Sequence, residues 1–224
     1  MRIVIAMSGG VDSSVAALLL KEKGYDPIGI TMKTWPKEEC GSEGEKLCCS
    51  LESIGFARSV AEDIGIPYYV VDYSKEFESH LKKYFEEEYA KGRTPNPCVY
   101  CNSKLKFGAL LDKAKELGAE KIATGHYANI IQKEGKTYLS ESRNSEKDQS
   151  YFLFDIPKEK LSQIEFPLGD MTKDEVREIA TKYGLMPANR PASQDICFAT
   201  SSGGYKEYLM KAGVNAFTEG DIVN

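Results

Sequence analysis

MRIVIAMSGGVDSSVAALLLKEK, residues 1–23, is the stretch from which the fold follows. Arg2–Ala6 is a short, β-branched apolar run of the kind that forms a buried parallel strand. It stops at Met7-Ser8-Gly9-Gly10, and a helical pattern starts at once with Val11, Val15, Leu18 and Leu19 on one face. Strand, glycine turn and helix in this order make a phosphate-binding arrangement. The first N–H groups of a helix have no intrahelical partner and carry the positive end of its dipole. Gly9 and Gly10 let the backbone approach an anion, and Ser8 and Ser13 add hydroxyl donors. Asp12 is the odd member, because a carboxylate beside an anion repels it unless a cation lies between. Mg²⁺ held between Asp12 and phosphate oxygens answers that requirement.

The stretch is not a Walker A loop, since no Lys follows the glycines, and it lacks the spacing of the dinucleotide fingerprint. Two glycines alone also fit a plain strand–helix turn; the full hexamer behind an N-terminal strand separates the phosphate reading from it. Ser8-Gly9-Gly10-Val11-Asp12-Ser13 resembles the SGGxDS loop of the PP-loop ATP pyrophosphatases. That resemblance implies cleavage of ATP between its α- and β-phosphates and an adenylylated substrate.

Working outward, 224 residues suffice for one large domain or one plus a small appendage. Apolar content of 42% and charged content of 28% are those of a globular protein. No apolar run has the length of a membrane span, and Met1 leads directly into a charged residue and a core strand, so a cytoplasmic location is expected. Six Cys without a signal peptide point to thiol or metal chemistry rather than a disulfide scaffold. A net charge of −5 counts mildly against a polyanionic partner, although a local basic face can sit on an acidic protein.

The remaining pattern alternates strand and helix. Strands are expected at Pro27–Met32, Pro67–Asp72 and Lys121–Thr124, and helices at Ile54–Ile64 (capped by Ser53), Lys75–Lys91 and Ser103–Leu117. Ala128–Gln132 and Lys136–Ser140 read as a hairpin, and Pro157–Ser162, Lys173–Tyr183 and Tyr205–Ala212 as short helices. A closing strand is expected over Gly220–Asn224. This is an α/β architecture with a parallel sheet and right-handed crossovers. In such sheets ligands gather beyond the carboxyl ends of the strands, which places Gly125-His126-Tyr127 beside the first loop. Gly125 can admit a nucleotide, and His126 reads as a substrate contact or as a packed strand-end histidine. His80 reads as an exposed helix residue. Cys40, Cys48 and Cys49 lie in a long polar loop and read as incidental thiols.

Thr94-Pro95-Asn96-Pro97-Cys98-Val99-Tyr100-Cys101 delivers a C-x-x-C to the start of a helix, whose N-terminus favours a thiolate at Cys101. Alone, the pair fits a redox couple, half a zinc site or part of an iron–sulfur site. With Gly125–Ala128, Lys147–Phe154, Phe166–Gly169 and Ser193–Phe198 in order behind it, the chain resembles the tRNA 2-thiouridylase family over nearly its whole length.

The resemblance implies a Rossmann-like sheet of the HUP type (adenine nucleotide alpha hydrolase), with helices on both faces and a small, mostly helical appendage. It implies a catalytic domain over 1–165, to which 190–206 return, and a partial central domain over 166–189 and 207–224. The family's C-terminal β-rich domain would begin where this chain ends. ATP phosphates would meet Ala6, Met7, Ser8, Gly9, Gly10, Val11, Asp12 and Ser13, with Met32 and Gly125 on the adenosine side. Asn96, Pro97 and Cys98 match the segment facing the target base, and His126, Lys147, Asp148 and Gln149 match tRNA contacts. Cys101 and Cys197 match the two catalytic cysteines, the second carrying sulfur as a persulfide in the relay, and the sulfur donor implied is a persulfide carrier protein or, for a cluster, free sulfide.

Cys98 departs from the acidic residue of many family members, and Cys98, Cys101 and Cys197 together make the ligand set of a [4Fe–4S] cluster with one open iron. The cluster is read narrowly ahead of a persulfide relay, which would need residues 187–198 to fold back over Cys101. A PP-loop enzyme acting on a small molecule and a non-catalytic sulfur or iron–sulfur module are the rival readings.

Overall fold

The computed structural model describes residues 1–34, 51–185, 196–199, 203–214 and 217; Cys40, Cys48, Cys49 and the strand expected at 220–224 lie outside them. Strands β1 (Arg2–Ala6), β2 (Asp26–Lys33), β3 (Tyr68–Asp72), β4 (Lys121–Ala123) and β7 (Ile164–Glu165) form one five-stranded sheet in the order β3-β2-β1-β4-β7. Every pairing in it is parallel, Ile5 facing Gly29 on one side and Ala123 on the other. β5 (Asn129–Lys133) and β6 (Lys136–Ser140) form a separate antiparallel hairpin, turned at Glu134-Gly135 with φ of 52° and 71°. Positive φ at both turn residues is what a tight hairpin turn demands.

Side chains alternate across β1, so the sheet needs cover on both faces. Ile3 and Ile5 pack with Val15, Ala16 and Leu20 of α1 (Val11–Glu22) and with Ala57, Val60 and Ala61 of α2 (Leu51–Asp63). Leu168, Val176 and Ala180 join that same core, so the segment after β7 is packed on α1. Val4 points the other way, into a cluster with Ile28, Ile30, Phe107, Leu110 and Ile122.

Two local expectations change. Ser53 lies inside α2, not at its cap: it is buried, and its carbonyl occupies the place where a side chain on Gly9 would stand. The helix expected from Ser103 starts at Pro97 and runs over 97–116. Pro97 needs no N–H partner in the first turn, and Asn96 caps the helix by accepting from the Cys98 and Val99 N–H groups at 3.1 and 3.4 Å. The two-residue strand β7 had no pattern long enough to read. The helix over 74–90 is continuous, with wider π-type turns at Phe77–Lys82, and Cys101–Leu110 adopt the same geometry.

Candidate active site

β1 and β4 are neighbours at the point where strand order reverses, and the crevice beyond their carboxyl ends is where open α/β sheets bind ligands. Met7 is still tied to the sheet, donating its N–H to Ile30 O (2.9 Å) and accepting Thr31 Oγ1 (2.6 Å). The chain then turns at Gly9 (φ 73°), and Gly10 caps α1 with no side chain satisfying the first N–H groups. Ser13 Oγ accepts the Ser8 N–H (3.2 Å) and donates to Gly10 O (3.0 Å). Its hydroxyl therefore shapes the loop, whereas Ser8 is exposed. The resulting row of backbone donors at a helix start suits a polyanion.

Gly125, two residues beyond β4, lies at a close approach. A Cβ there would lie 2.8 Å from Asp12 C and Ser13 N, so the glycine admits the backbone of α1. Asp12 Oδ1 accepts two donors, the Tyr127 hydroxyl at 2.8 Å and Lys173 Nζ at 2.6 Å. Burial, and next the charge of Asp12, push the Tyr127 phenol far up, so it remains a donor. His126 Nδ1 meets Thr124 Oγ1 at 2.7 Å, and its ring lies against Phe107 and Phe166. Desolvation, assisted by Lys106, holds its pKa well below 6.5, which makes it a neutral hydrogen-bonding group. Met32 packs between two core clusters at the end of β2.

The segments matched to nucleic acid are largely occupied with their own chain. Asn96 is a helix cap, Pro97 is buried and Cys98 is exposed. Asp148 accepts the Ser142 N–H on one oxygen (2.7 Å) and the Ser150 hydroxyl on the other (2.6 Å). Gln149 exchanges bonds with Tyr127, its Oε1 accepting the Tyr127 N–H at 3.0 Å. Lys147 is exposed.

Cys101 and Cys197 both pack on one cluster, built from Phe77, Leu81, Phe85, Leu105, Phe198 and Leu209. The fold-back is anchored by Phe198, which stands edge-on to Phe77 and Phe85 at 5.8 and 5.1 Å. Because the helix starts at Pro97, Cys101 sits a turn inside it, and Cys98 is the thiol that feels the N-terminal dipole most. Among the described residues, which include all three thiols, no group of three or more His, Cys, Asp or Glu is gathered to hold a metal. Among the described residues the three cysteines are therefore not gathered as a cluster ligand set.

Sequence reading missed Lys173, the phenol of Tyr127, Asn102 and the anchoring role of Phe198. Asn102, buried next to Cys101, donates Nδ2 to Phe152 O at 2.9 Å and so ties the cysteine helix to the 150–153 turn. Thr172 and Glu175 do form a capping box, a legible signal for where that helix begins. Nothing local says that Lys173, the first residue after the cap, reaches Asp12.

The chain is similar to several known proteins. The tRNA-specific 2-thiouridylase MnmA of Geobacter metallireducens is 54% identical over 201 residues, 88% of this chain and 55% of the relative. The proteins of that name from Moorella thermoacetica and Clostridium perfringens are 47% and 45% identical, covering 99% and 100% of this chain and 62% of each relative. The chain thus spans 55–62% of the length of these curated relatives. Among solved structures, a 4-thiouridine synthetase–RNA complex with bound ATP matches with TM-score 0.56 at 17% identity, over 94% of this chain and 50% of that one. NMN synthetase from Francisella tularensis matches with TM-score 0.55 at 14% identity, over 97% of this chain and 78% of that one. Both likenesses concern the fold, which is the HUP-type, PP-loop α/β sheet. A family model described as the tRNA methyl transferase HUP domain matches residues 1–201, and the chain belongs to that family.

Proposed function

We propose that this chain carries out ATP-dependent thiolation at C2 of a tRNA uridine, the wobble position being the target. The observation that carries the reading is the pairing of the glycine loop at the β1–β4 crevice with two cysteines sharing one hydrophobic cluster. A uracil C2 oxygen is a poor leaving group, and adenylylation makes it a good one. The C2 oxygen attacks the α-phosphorus of ATP and pyrophosphate departs, its charge met by the N–H groups opening α1. Asp12 suits Mg²⁺, which binds through one or two carboxylates plus substrate phosphates and would neutralise the leaving pyrophosphate.

Sulfur follows by two displacements. The terminal sulfur of a Cys197 persulfide attacks C2, AMP leaves with the oxygen, and a C2–S–S–Cys197 linkage forms. The Cys101 thiolate then attacks Cys197 Sγ, releasing 2-thiouridine and leaving a Cys101–Cys197 disulfide. A thiol reductant and a persulfide donor restore the starting state. No step passes through an iron–sulfur cluster.

The test combines the chain with ATP, Mg²⁺, tRNA and a persulfide donor, and reads pyrophosphate and 2-thiouridine by mass spectrometry. Parent protein should give both; Cys101→Ser and Cys197→Ser should keep pyrophosphate release and lose the thiolated product. Product from free uridine but not from tRNA would transfer the activity to a small substrate. An iron- and sulfide-containing preparation required for turnover would restore the cluster reading.

A further inference from the structure

We propose that Tyr127 is a positioning residue for Asp12, its hydroxyl fixing one carboxylate oxygen so that the other is presented to a divalent cation. The inference rests on the reading of Asp12 as the Mg²⁺ ligand of the glycine loop and names the group that orients it.

Three observations carry it. First, the donors around Asp12 are unevenly shared. The Tyr127 hydroxyl at 2.8 Å and Lys173 Nζ at 2.6 Å both reach Oδ1. Among the described residues no donor meets Oδ2, and the Asp12 side chain is still 30% exposed. Second, the hydroxyl is carried on a ring that cannot yield. Tyr127 is 3% exposed, in the core with Val15, Leu168 and Val176. One residue holds its backbone at both polar groups: Gln149 Oε1 accepts the Tyr127 N–H at 3.0 Å, and the Gln149 N–H donates to Tyr127 O at 2.8 Å. Third, Gly125 brings the two partners together. A Cβ there would stand 2.8 Å from the backbone of Asp12 and Ser13, so the strand end leading to Tyr127 is seated on the turn that carries Asp12.

A buried phenol needs a hydrogen-bond partner, and any backbone carbonyl would serve for that. Aiming it at the carboxylate of the glycine loop does more. Carboxylates that bind metals are themselves hydrogen-bonded, and such outer partners set the orientation of the ligand. Mg²⁺ demands near-octahedral geometry and binds through one or two carboxylates plus phosphate oxygens, so a freely turning carboxylate suits it poorly. With Oδ1 held by the clamped phenol, Oδ2 is the oxygen offered to the ion.

The test uses calorimetry on the full chain, titrating sodium pyrophosphate in EDTA and then Mg²⁺ at saturating pyrophosphate. Tyr127→Phe keeps the ring and removes the hydroxyl. It should weaken Mg²⁺ about tenfold and leave metal-free pyrophosphate within about twofold of the parent. In an Asp12→Asn background the same substitution should bring no further loss of Mg²⁺ affinity, because both changes break one interaction. Gln149→Ala should shift Mg²⁺ affinity in the same direction by a smaller factor, and Gln149→Glu, which keeps the acceptor, should retain most of it. Should Tyr127→Phe fail to fold, the two Gln149 variants carry the comparison. Mg²⁺ affinity of Tyr127→Phe within about twofold of the parent overturns the assignment. So does an equal loss of metal-free pyrophosphate, which marks a purely structural tyrosine. A parent chain that binds no pyrophosphate overturns the nucleotide reading itself, and one that binds it without taking up Mg²⁺ overturns the reading of Asp12 as a cation ligand.

Discussion

Phe198 stands edge-on to Phe85, ring centroids 5.1 Å apart and planes at 87°, and this contact holds the residue next to Cys197 against the helix over 74–90. Phe198 is also packed on Tyr208 at 5.0 Å and is 1% exposed. Truncating a buried Phe costs about 3–5 kcal/mol where its site cannot collapse. Phe198→Ala should therefore release the 196–199 segment while leaving the sheet intact. Pyrophosphate release should persist and thiolated product should fall sharply, with Phe198→Leu in between. Equal loss of both activities would show that Phe198 supports the whole fold and not the placing of Cys197.

Gly125 answers to a steric demand that can be tested apart from chemistry. An added Cβ would stand 2.8 Å from Asp12 C and Ser13 N, both backbone atoms of the first turn of α1. Gly125→Ala must push that turn away from β4. Far-ultraviolet circular dichroism should be unchanged, while ATP affinity drops at least about tenfold, because donor positions in such a loop tolerate little displacement. Unaltered ATP binding would mean that the loop yields without cost.

His126 should be neutral across the physiological range, since desolvation lowers its pKa well below 6.5 and the Lys106 charge adds to this. The unfolded chain binds this proton first as pH falls below 6.5, so the His126 contribution to stability diminishes toward acid. Lys106→Met should move the imidazole midpoint upward and still leave it below 6.5, because desolvation is the larger cause. Imidazole NMR titration reads this directly, and a midpoint at or above 6.5 in the parent would contradict it.

Asp72 has the same sign and acts at lower pH. Its Oδ1 accepts the Ser74 hydroxyl at 2.6 Å and the Ser74 N–H at 2.9 Å, while Oδ2 pairs with Lys33 at 2.9 Å. The Ser74 hydroxyl bond leads in lowering its pKa from 3.8 to about 2. Stability from the carboxylate is complete above 3.8 and is lost as pH falls through about 2. Asp72→Asn should cost at most about 1 kcal/mol near neutrality, because the group is exposed. Urea midpoints of parent and variant should converge toward pH 2, and a gap that persists there would assign the effect to packing.

Much of this was legible in the residues. The apolar runs, the glycine punctuation and the hexamer after β1 specify a parallel α/β sheet with an anion site at its crevice, because strand and helix periodicity and left-handed turns are local properties. The C-x-x-C was visible too, yet its helix starts earlier than expected because Pro97 and Asn96 act together as a start signal. β7 escaped, since two residues show no period and pair only through their neighbour β4.

What only the tertiary structure decided are contacts between distant parts of the chain. Asp12 meets Lys173, Gly125 fits against Ser13, and Cys197 reaches the cluster of Cys101 through Phe198. None of these follows from spacing. Each depends on how the sheet's twist and two packed cores bring distant helices together, and a charge or a ring acquires its role from the partner that packing sets beside it.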